Sequence, residues 1–183
     1  MKCPVCKTNS LGAITLVDNL PAAHCSQCNG NWIAANVYMA WLRAKGSELP
    51  EKTGNAPFDP AWHTREFKLC PDCGHMLRRF KIFPNVDYYL DRCGNCNGIW
   101  FDANEWDALV ERNLHDNLHD FFTRPWQNHL HAEETKTQME SIYLFKFGAQ
   151  DYEKIKEVRA WLDNHDQKSM LIAYLLADDP YKV

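Results

Sequence analysis

All eight cysteines of this 183-residue chain fall in four C-x-x-C pairs, Cys3/Cys6, Cys25/Cys28, Cys70/Cys73 and Cys93/Cys96. A C-x-x-C turn presents two sulfurs to one point. No cysteine is left over, an arithmetic that two four-thiolate metal sites require and scattered disulfides rarely produce. Zinc favours four soft thiolates in a tetrahedron and needs no open position where its role is structural. The expected ligand sets are therefore Cys3, Cys6, Cys25 and Cys28 for one Zn²⁺ and Cys70, Cys73, Cys93 and Cys96 for a second. Iron in a rubredoxin-like site uses the same ligands and is the alternative metal. Thiol–disulfide redox work would need a pair not committed to metal, and the pattern offers none.

The elements that must position these sulfurs come twice. Residues 3–32 and 70–100 each open with C-P-x-C and close with C-x-x-C-N-G-x-W, and the match runs on to Ala35-Asn36 and Ala103-Asn104. One small unit has been used twice. Within each unit a β-hairpin carries the second pair back to the first. In the second unit 79–83 and 88–92 read as strands around Pro84-Asn85. In the first, 13–17 and a short strand before Cys25 flank 18–21. Gly30 and Gly98 are expected to supply a relaxed backbone conformation after the second knuckle. Trp32 and Trp100 are expected to pack over the hairpin rather than serve as stacking platforms. If Tyr88 and Tyr89 lie in a strand, they point to opposite faces.

A helical segment follows each unit, roughly 35–45 and 104–122. Residues 46–66 carry Gly, Pro, Ser, Thr and Asn in abundance and read as a linker. Pro125 is expected to end or bend the helix before it. Residues 127–140 read as helix or connection, and 141–147 as a buried helix turn or a strand. Tyr152, Ile155, Val158 and Leu162 mark an amphipathic helix. The apolar run 169–177 suits a buried terminal helix. The fold class expected is a small metal-bound α+β protein, two tandem zinc ribbons followed by a helical C-terminal region. Its segments are 1–45 (ribbon 1 with its trailing helix), 46–66 (linker), 67–110 (ribbon 2) and 111–183 (mainly helical).

The second unit, with Cys70, Pro71, Cys73, Cys93, Cys96, Gly98, Trp100, Asp102, Glu105 and approximately Leu109, resembles a bacterial and organellar zinc-finger family named for its likeness to the zinc ribbon of transcription factor TFIIB. Gly94 stands where that pattern commonly has Pro. The first unit keeps Cys3, Pro4, Cys6, Cys25, Cys28, Gly30 and Trp32 but has Ala34 and Val37 in place of the acidic pair. The resemblance covers about half the chain and implies the fold and the metal. The family's name is not evidence of transcriptional work.

Charge narrows the functional classes. The formal net charge is −4, and eight thiolates with two Zn²⁺ make it more negative. Dedicated nucleic-acid backbone binders are usually basic overall. The strongest basic cluster is Arg78, Arg79 and Lys81, with Lys68 and Arg92 near it in the hairpin. Asp102 is expected to cap the helix that Glu105 enters, a structural role rather than acid–base catalysis. His115 and His119, like Asp116 and Asp120, are four apart, but no H-E-x-x-H pattern accompanies them. His63, His129 and His131 receive no role. No phosphate-binding glycine loop and no nucleophile elbow is present. The expected function is a non-enzymatic, zinc-dependent adaptor whose partner is another protein or a second copy of itself. The alternative is a nucleic-acid-associated ribbon protein, binding RNA or DNA through Arg78, Arg79 and Lys81. No run is long and apolar enough for a membrane span. The start, with no signal-like stretch, points to the cytoplasm, or to an organellar stroma or matrix if a transit peptide has been removed.

Overall fold

The computed structural model describes residues 1–7, 11–45 and 66–182. Of the expected linker, all but Glu66 lies outside the described residues, as does His63. The chain divides into two compact units, Met1–Glu133 and Glu134–Val183.

The first unit is built on one six-stranded antiparallel sheet, in the order β1-β2-β3-β6-β5-β4. Its strands are β1 (Gly12–Leu16), β2 (Leu20–His24), β3 (Asn31–Ile33), β4 (Leu77–Lys81), β5 (Tyr89–Cys93) and β6 (Ile99–Phe101). β1 and β2 form one expected hairpin, closed by Asp18 and Asn19 at φ 60° and 62°. Those two residue types tolerate this left-handed conformation. β4 and β5 form the other hairpin. The third strand of each unit is an addition to the sequence reading. β3 and β6 pair with each other, Asn31 opposite Phe101, Trp32 opposite Trp100 and Ile33 opposite Ile99. The two repeats therefore meet about a local two-fold axis that places the equivalent tryptophans opposite each other. The outer pairings obey the same axis: Ala23 faces Trp32 as Asp91 faces Trp100.

Side-chain alternation along β3 and β6 sorts the core into two layers. Ile33, Ile99 and Phe101 join a cluster with Tyr38 and Trp41 of α1 (Ala35–Lys45), Trp106 and Leu109 of α2 (Glu105–Glu111), and Leu118 and Phe121 of α3 (Leu118–Phe121). Trp32 and Trp100 pack instead with the buried cysteines. Full burial of one such indole removes roughly 150–250 Å² from water. At about 25 cal/mol/Å² that is an upper bound of about 4–6 kcal/mol each. Tyr88 and Tyr89 separate as expected. Tyr88 is buried and donates to the Glu105 carbonyl at 2.7 Å, whereas Tyr89 is half-exposed under the Arg79 guanidinium.

The helix expected over 104–122 is two helices. α2 closes in a Schellman arrangement: Asn113 sits at φ 54°, its N–H reaches the Val110 carbonyl, and Leu114 N–H reaches the Leu109 carbonyl at 2.9 Å. The apolar spacing persists past this break, which is why sequence periodicity joined the two. Tyr38 bridges the loop between them, its hydroxyl donating to the His115 carbonyl at 3.0 Å and accepting from Leu118 N–H. Pro125 does not end a helix. It lies in the first turn of α4 (Arg124–Phe147), where its missing N–H costs no helical hydrogen bond.

The second unit consists of the remainder of α4, α5 (Ala149–Asp163) and α6 (Lys168–Leu176). The stretch 127–147 is helix throughout. Gly148, at φ 77°, separates α4 from α5. The expectation of a buried terminal helix fails: α6 has no buried residue although its sequence is apolar nearly all round. Within this unit Tyr152 is the one buried residue among those described. No helix among the described residues is long and apolar enough to cross a membrane.

Candidate metal centre

Each cysteine cluster is assembled by two knuckles that a hairpin brings together. In the first knuckle of each unit the residue after the second cysteine turns back into the left-handed region, Lys7 at φ 62° and Gly74 at φ 72°. Their N–H groups bond the Cys3 and Cys70 carbonyls at 2.9 and 3.0 Å. In the second knuckle Asn29 and Asn97 take that conformation, at φ 56° and 61°, and bond the Cys25 and Cys93 carbonyls. The expectation that Gly30 and Gly98 supply the relaxed backbone is thus overturned: the asparagines before them do. The glycines are needed for close approach. A Cβ on Gly30 would sit 2.2 Å from the Trp100 ring, and one on Gly98 would sit 2.2 Å from the Trp32 ring. Each ribbon's glycine is the seat for the other ribbon's indole.

The sulfurs of Cys3, Cys6, Cys25 and Cys28 all lie within 4.8 Å of one another, as do those of Cys70, Cys73, Cys93 and Cys96. Individual separations are 3.6 Å for Cys3–Cys28, 3.8 Å for Cys6–Cys25, 3.5 Å for Cys70–Cys96 and 3.4 Å for Cys73–Cys93. A tetrahedron of sulfurs around zinc at 2.3 Å has edges of about 3.8 Å. All eight cysteines are free, and two in each cluster are fully buried. The N–H groups of Cys6 and Cys73 approach the Cys3 and Cys70 sulfurs at 3.3 and 3.5 Å, donors that favour thiolates. Without a cation, four thiols this close cannot ionise together. Burial pushes the Cys6 thiol up to about 11 and Cys28 higher still. At Cys25 burial also pushes upward, but the Cys28 and Gln27 N–H groups outweigh it and bring the thiol to about 7. The donors, their spacing and their burial fit one Zn²⁺ in each cluster.

Beside the second cluster lies a buried ionic group absent from the sequence reading. The Lys68 ammonium, almost wholly enclosed, donates to Asp91 at 2.5 Å and to Asp102 at 2.7 Å. Asp102 also accepts the Trp100 indole N–H at 2.7 Å, and its backbone N–H donates to the Glu105 carboxylate at 2.7 Å. Glu105 therefore reaches back to the Asp102 N–H, from the first residue of the helix rather than from the third as in a capping box. The expected cap by Asp102 is corrected: Asn104 holds the cap position, and the Asp102 carboxylate serves the indole and the lysine. The Trp32 indole finds its acceptor in Asp72 of the other ribbon's first knuckle, at 3.0 Å. Lys68, read from the sequence as a neighbour of the basic cluster, is instead buried and paired with two carboxylates, and Asp72 carried no sequence signal beyond its closeness to Cys70.

The basic triplet Arg78, Arg79 and Lys81 does not form one patch. Strand alternation turns Arg79 and Lys81 toward the Tyr89 ring, with Asp91 4.0 Å from Arg79. Arg78 lies over Phe80 on the opposite face, directly across from Arg92. The histidine–aspartate spacing yields no third cluster among the described residues. His115 is buried against Trp41 and Trp106, while His119 is exposed. His129 and His131 are exposed on α4.

Residues 2–44 and 69–112 match the transcription factor zinc-finger family of TFIIB-type zinc ribbons. Neither the curated proteins nor the solved structures contain a match to the chain. The protein carries a tandem pair of TFIIB-type zinc ribbons, followed by helices, with a four-cysteine zinc site in each ribbon.

Proposed function

We propose that this protein is a non-enzymatic adaptor in which Cys3, Cys6, Cys25, Cys28, Cys70, Cys73, Cys93 and Cys96 hold two structural zinc ions and the helical C-terminal region binds another protein or a second copy of the chain. In this reading segments 1–45 and 67–110 are the metal-held ribbons, 46–66 connects them, and 111–183 supplies the contact surface. A reducing compartment such as the cytoplasm would keep the thiols available to the metal.

The observation that carries the adaptor reading is the exposed apolar surface of α5 and α6. Ile155, Val158, Leu162, Ile172, Leu175 and Leu176 line a groove of 480 Å³ between them. Leu176 is 79% exposed and Leu175 61%. A continuous apolar patch of this kind on a folded unit marks an interaction surface.

The test is retention of partners by the zinc-loaded chain from native lysate after nuclease treatment, with its mass in solution measured in parallel. The adaptor reading expects either a discrete protein partner or a dimer. Ile155→Glu with Leu175→Glu should abolish it while leaving two zinc ions per chain. Retention unchanged by this pair, or a monomer whose partners all vanish with nuclease, sinks the reading.

A further inference from the structure

On the other face of the second hairpin lies a pocket that the adaptor reading does not use. It measures 570 Å³ and is lined by Arg78, Arg79 and Phe80 of β4, Arg92 of β5, Asn97 of the knuckle, Phe122 just after α3 and Arg124 at the start of α4, among others. Arg78 and Arg92 are direct cross-strand partners. Like charges in that relation repel and are destabilising. Among the described residues neither has a carboxylate partner. Arg78 lies over the Phe80 ring, and Arg92 lies over the Phe122 ring at 4.9 Å and donates to the Asn97 side chain at 2.8 Å. Arg124 likewise has no carboxylate partner and sits at the N-terminus of a 24-residue helix, the end whose dipole disfavours a cation. The nearest acid on the hairpin, Asp91, is taken by Lys68 and faces Arg79.

Three guanidinia from three elements thus converge on one concave space, each in a setting that an anion would relieve. Planar guanidinium forks match the oxygens of a phosphate, and a helix N-terminus favours the same charge. The ring faces of Phe80 and Phe122 hold the arginines in place, so little side-chain freedom is lost on binding. We propose that this pocket is a binding site for a phosphate group, with Arg78, Arg92 and Arg124 as its ligands. The phosphate comes from a small ester such as a mononucleotide or from a nucleic-acid strand. The site differs from the triplet read in the sequence: Lys81 does not line the pocket, Arg79 lines it but has its guanidinium beside Asp91 and the Tyr89 ring, and Arg92 and Arg124 are added. It stands independently of the adaptor reading, because the groove that carries that reading is lined by α5 and α6 and this pocket by neither.

The experiment titrates the zinc-loaded full chain with inorganic phosphate, adenosine monophosphate and a fluorescent single-stranded oligonucleotide, at two salt concentrations. Arg78→Gln with Arg124→Gln is the test variant, both positions being exposed, and zinc content with far-ultraviolet circular dichroism reports its fold. Saturable binding of a phosphate compound is expected, competed by inorganic phosphate and weakened on the order of tenfold per arginine removed. Equal affinity for the mononucleotide and the oligonucleotide assigns the small-ester source. A tighter oligonucleotide, with a log–log salt slope that falls by about 0.7 for each arginine removed, assigns the strand. Absence of saturable binding to all three probes overturns the site. So does binding that the correctly folded variant retains in full.

Discussion

The two ribbons share a backbone but are stabilised differently. In the second, Lys68 is enclosed by Asp91 and Asp102. The corresponding positions of the first ribbon are Met1, Ala23 and Ala34. Asp72 corresponds to Val5. Both central indoles are consequently satisfied by carboxylates of the second ribbon, Trp32 by Asp72 and Trp100 by Asp102. The seam between the ribbons is symmetric in shape and asymmetric in charge. It is arranged as an isologous dimer interface is, with equivalent residues facing across an axis, but inside one chain. A tandem repeat whose halves need not be identical can place all the ionic groups on one side and still close the same sheet.

Removing a sulfur is the largest perturbation. Cys25→Ser and Cys93→Ser should each lower bound zinc from two ions per chain to one and unfold the affected half, because a hairpin of this size cannot bury a core of its own. Metal analysis alongside near-ultraviolet circular dichroism checks this. Two zinc ions retained in either variant would remove the cysteine from the ligand set.

Gly30→Ala and Gly98→Ala test the symmetric part of the seam. Each added methyl meets an indole at 2.2 Å, so each should cost about 3 kcal/mol or more, by equal amounts within error. Unequal shifts in the urea midpoint would show that the axis is geometric but not energetic.

Lys68→Met tests the asymmetric part. It leaves two buried carboxylates without their shared ammonium, Asp91 keeping only Arg79 at 4.0 Å, and should cost about 3–5 kcal/mol. Adding Asp91→Ala and Asp102→Ala rebuilds the first ribbon's composition, and the triple variant should lose less than Lys68→Met alone. If the single change proves the milder one, the buried group is not held together by its charges. The smallest effect is expected from Asp72→Ala. It strands the Trp32 indole N–H and should cost about 1–3 kcal/mol, read from thermal unfolding followed by tryptophan fluorescence.

The second half of the chain is helical as its pattern implies, but the pattern misleads at two places, and the causes are specific. The Leu109, Leu114 and Leu118 spacing continues through the Schellman turn at Asn113, since both helices pack on the same core, so one helix was read where there are two. The run at 169–177 is as apolar as a buried helix, but nothing among the described residues encloses α6. Hydropathy records a preference for burial, not whether a covering surface exists.

The amino-acid sequence by itself determined the grouping of eight cysteines into two sets, the repeat, the two hairpins and the likeness to a zinc-ribbon family. These follow from spacing, because a knuckle and a hairpin are local geometry. Only the tertiary structure decided that β3 and β6 join the repeats into one sheet. It alone showed that Gly30 and Gly98 seat the opposite indoles, that Lys68 is buried between Asp91 and Asp102, and that Arg78 parts from Arg79 to meet Arg92 and Arg124. Each of these depends on which surfaces meet across tens of residues of chain. That choice is made by packing and charge compensation among distant side chains, which no local period encodes.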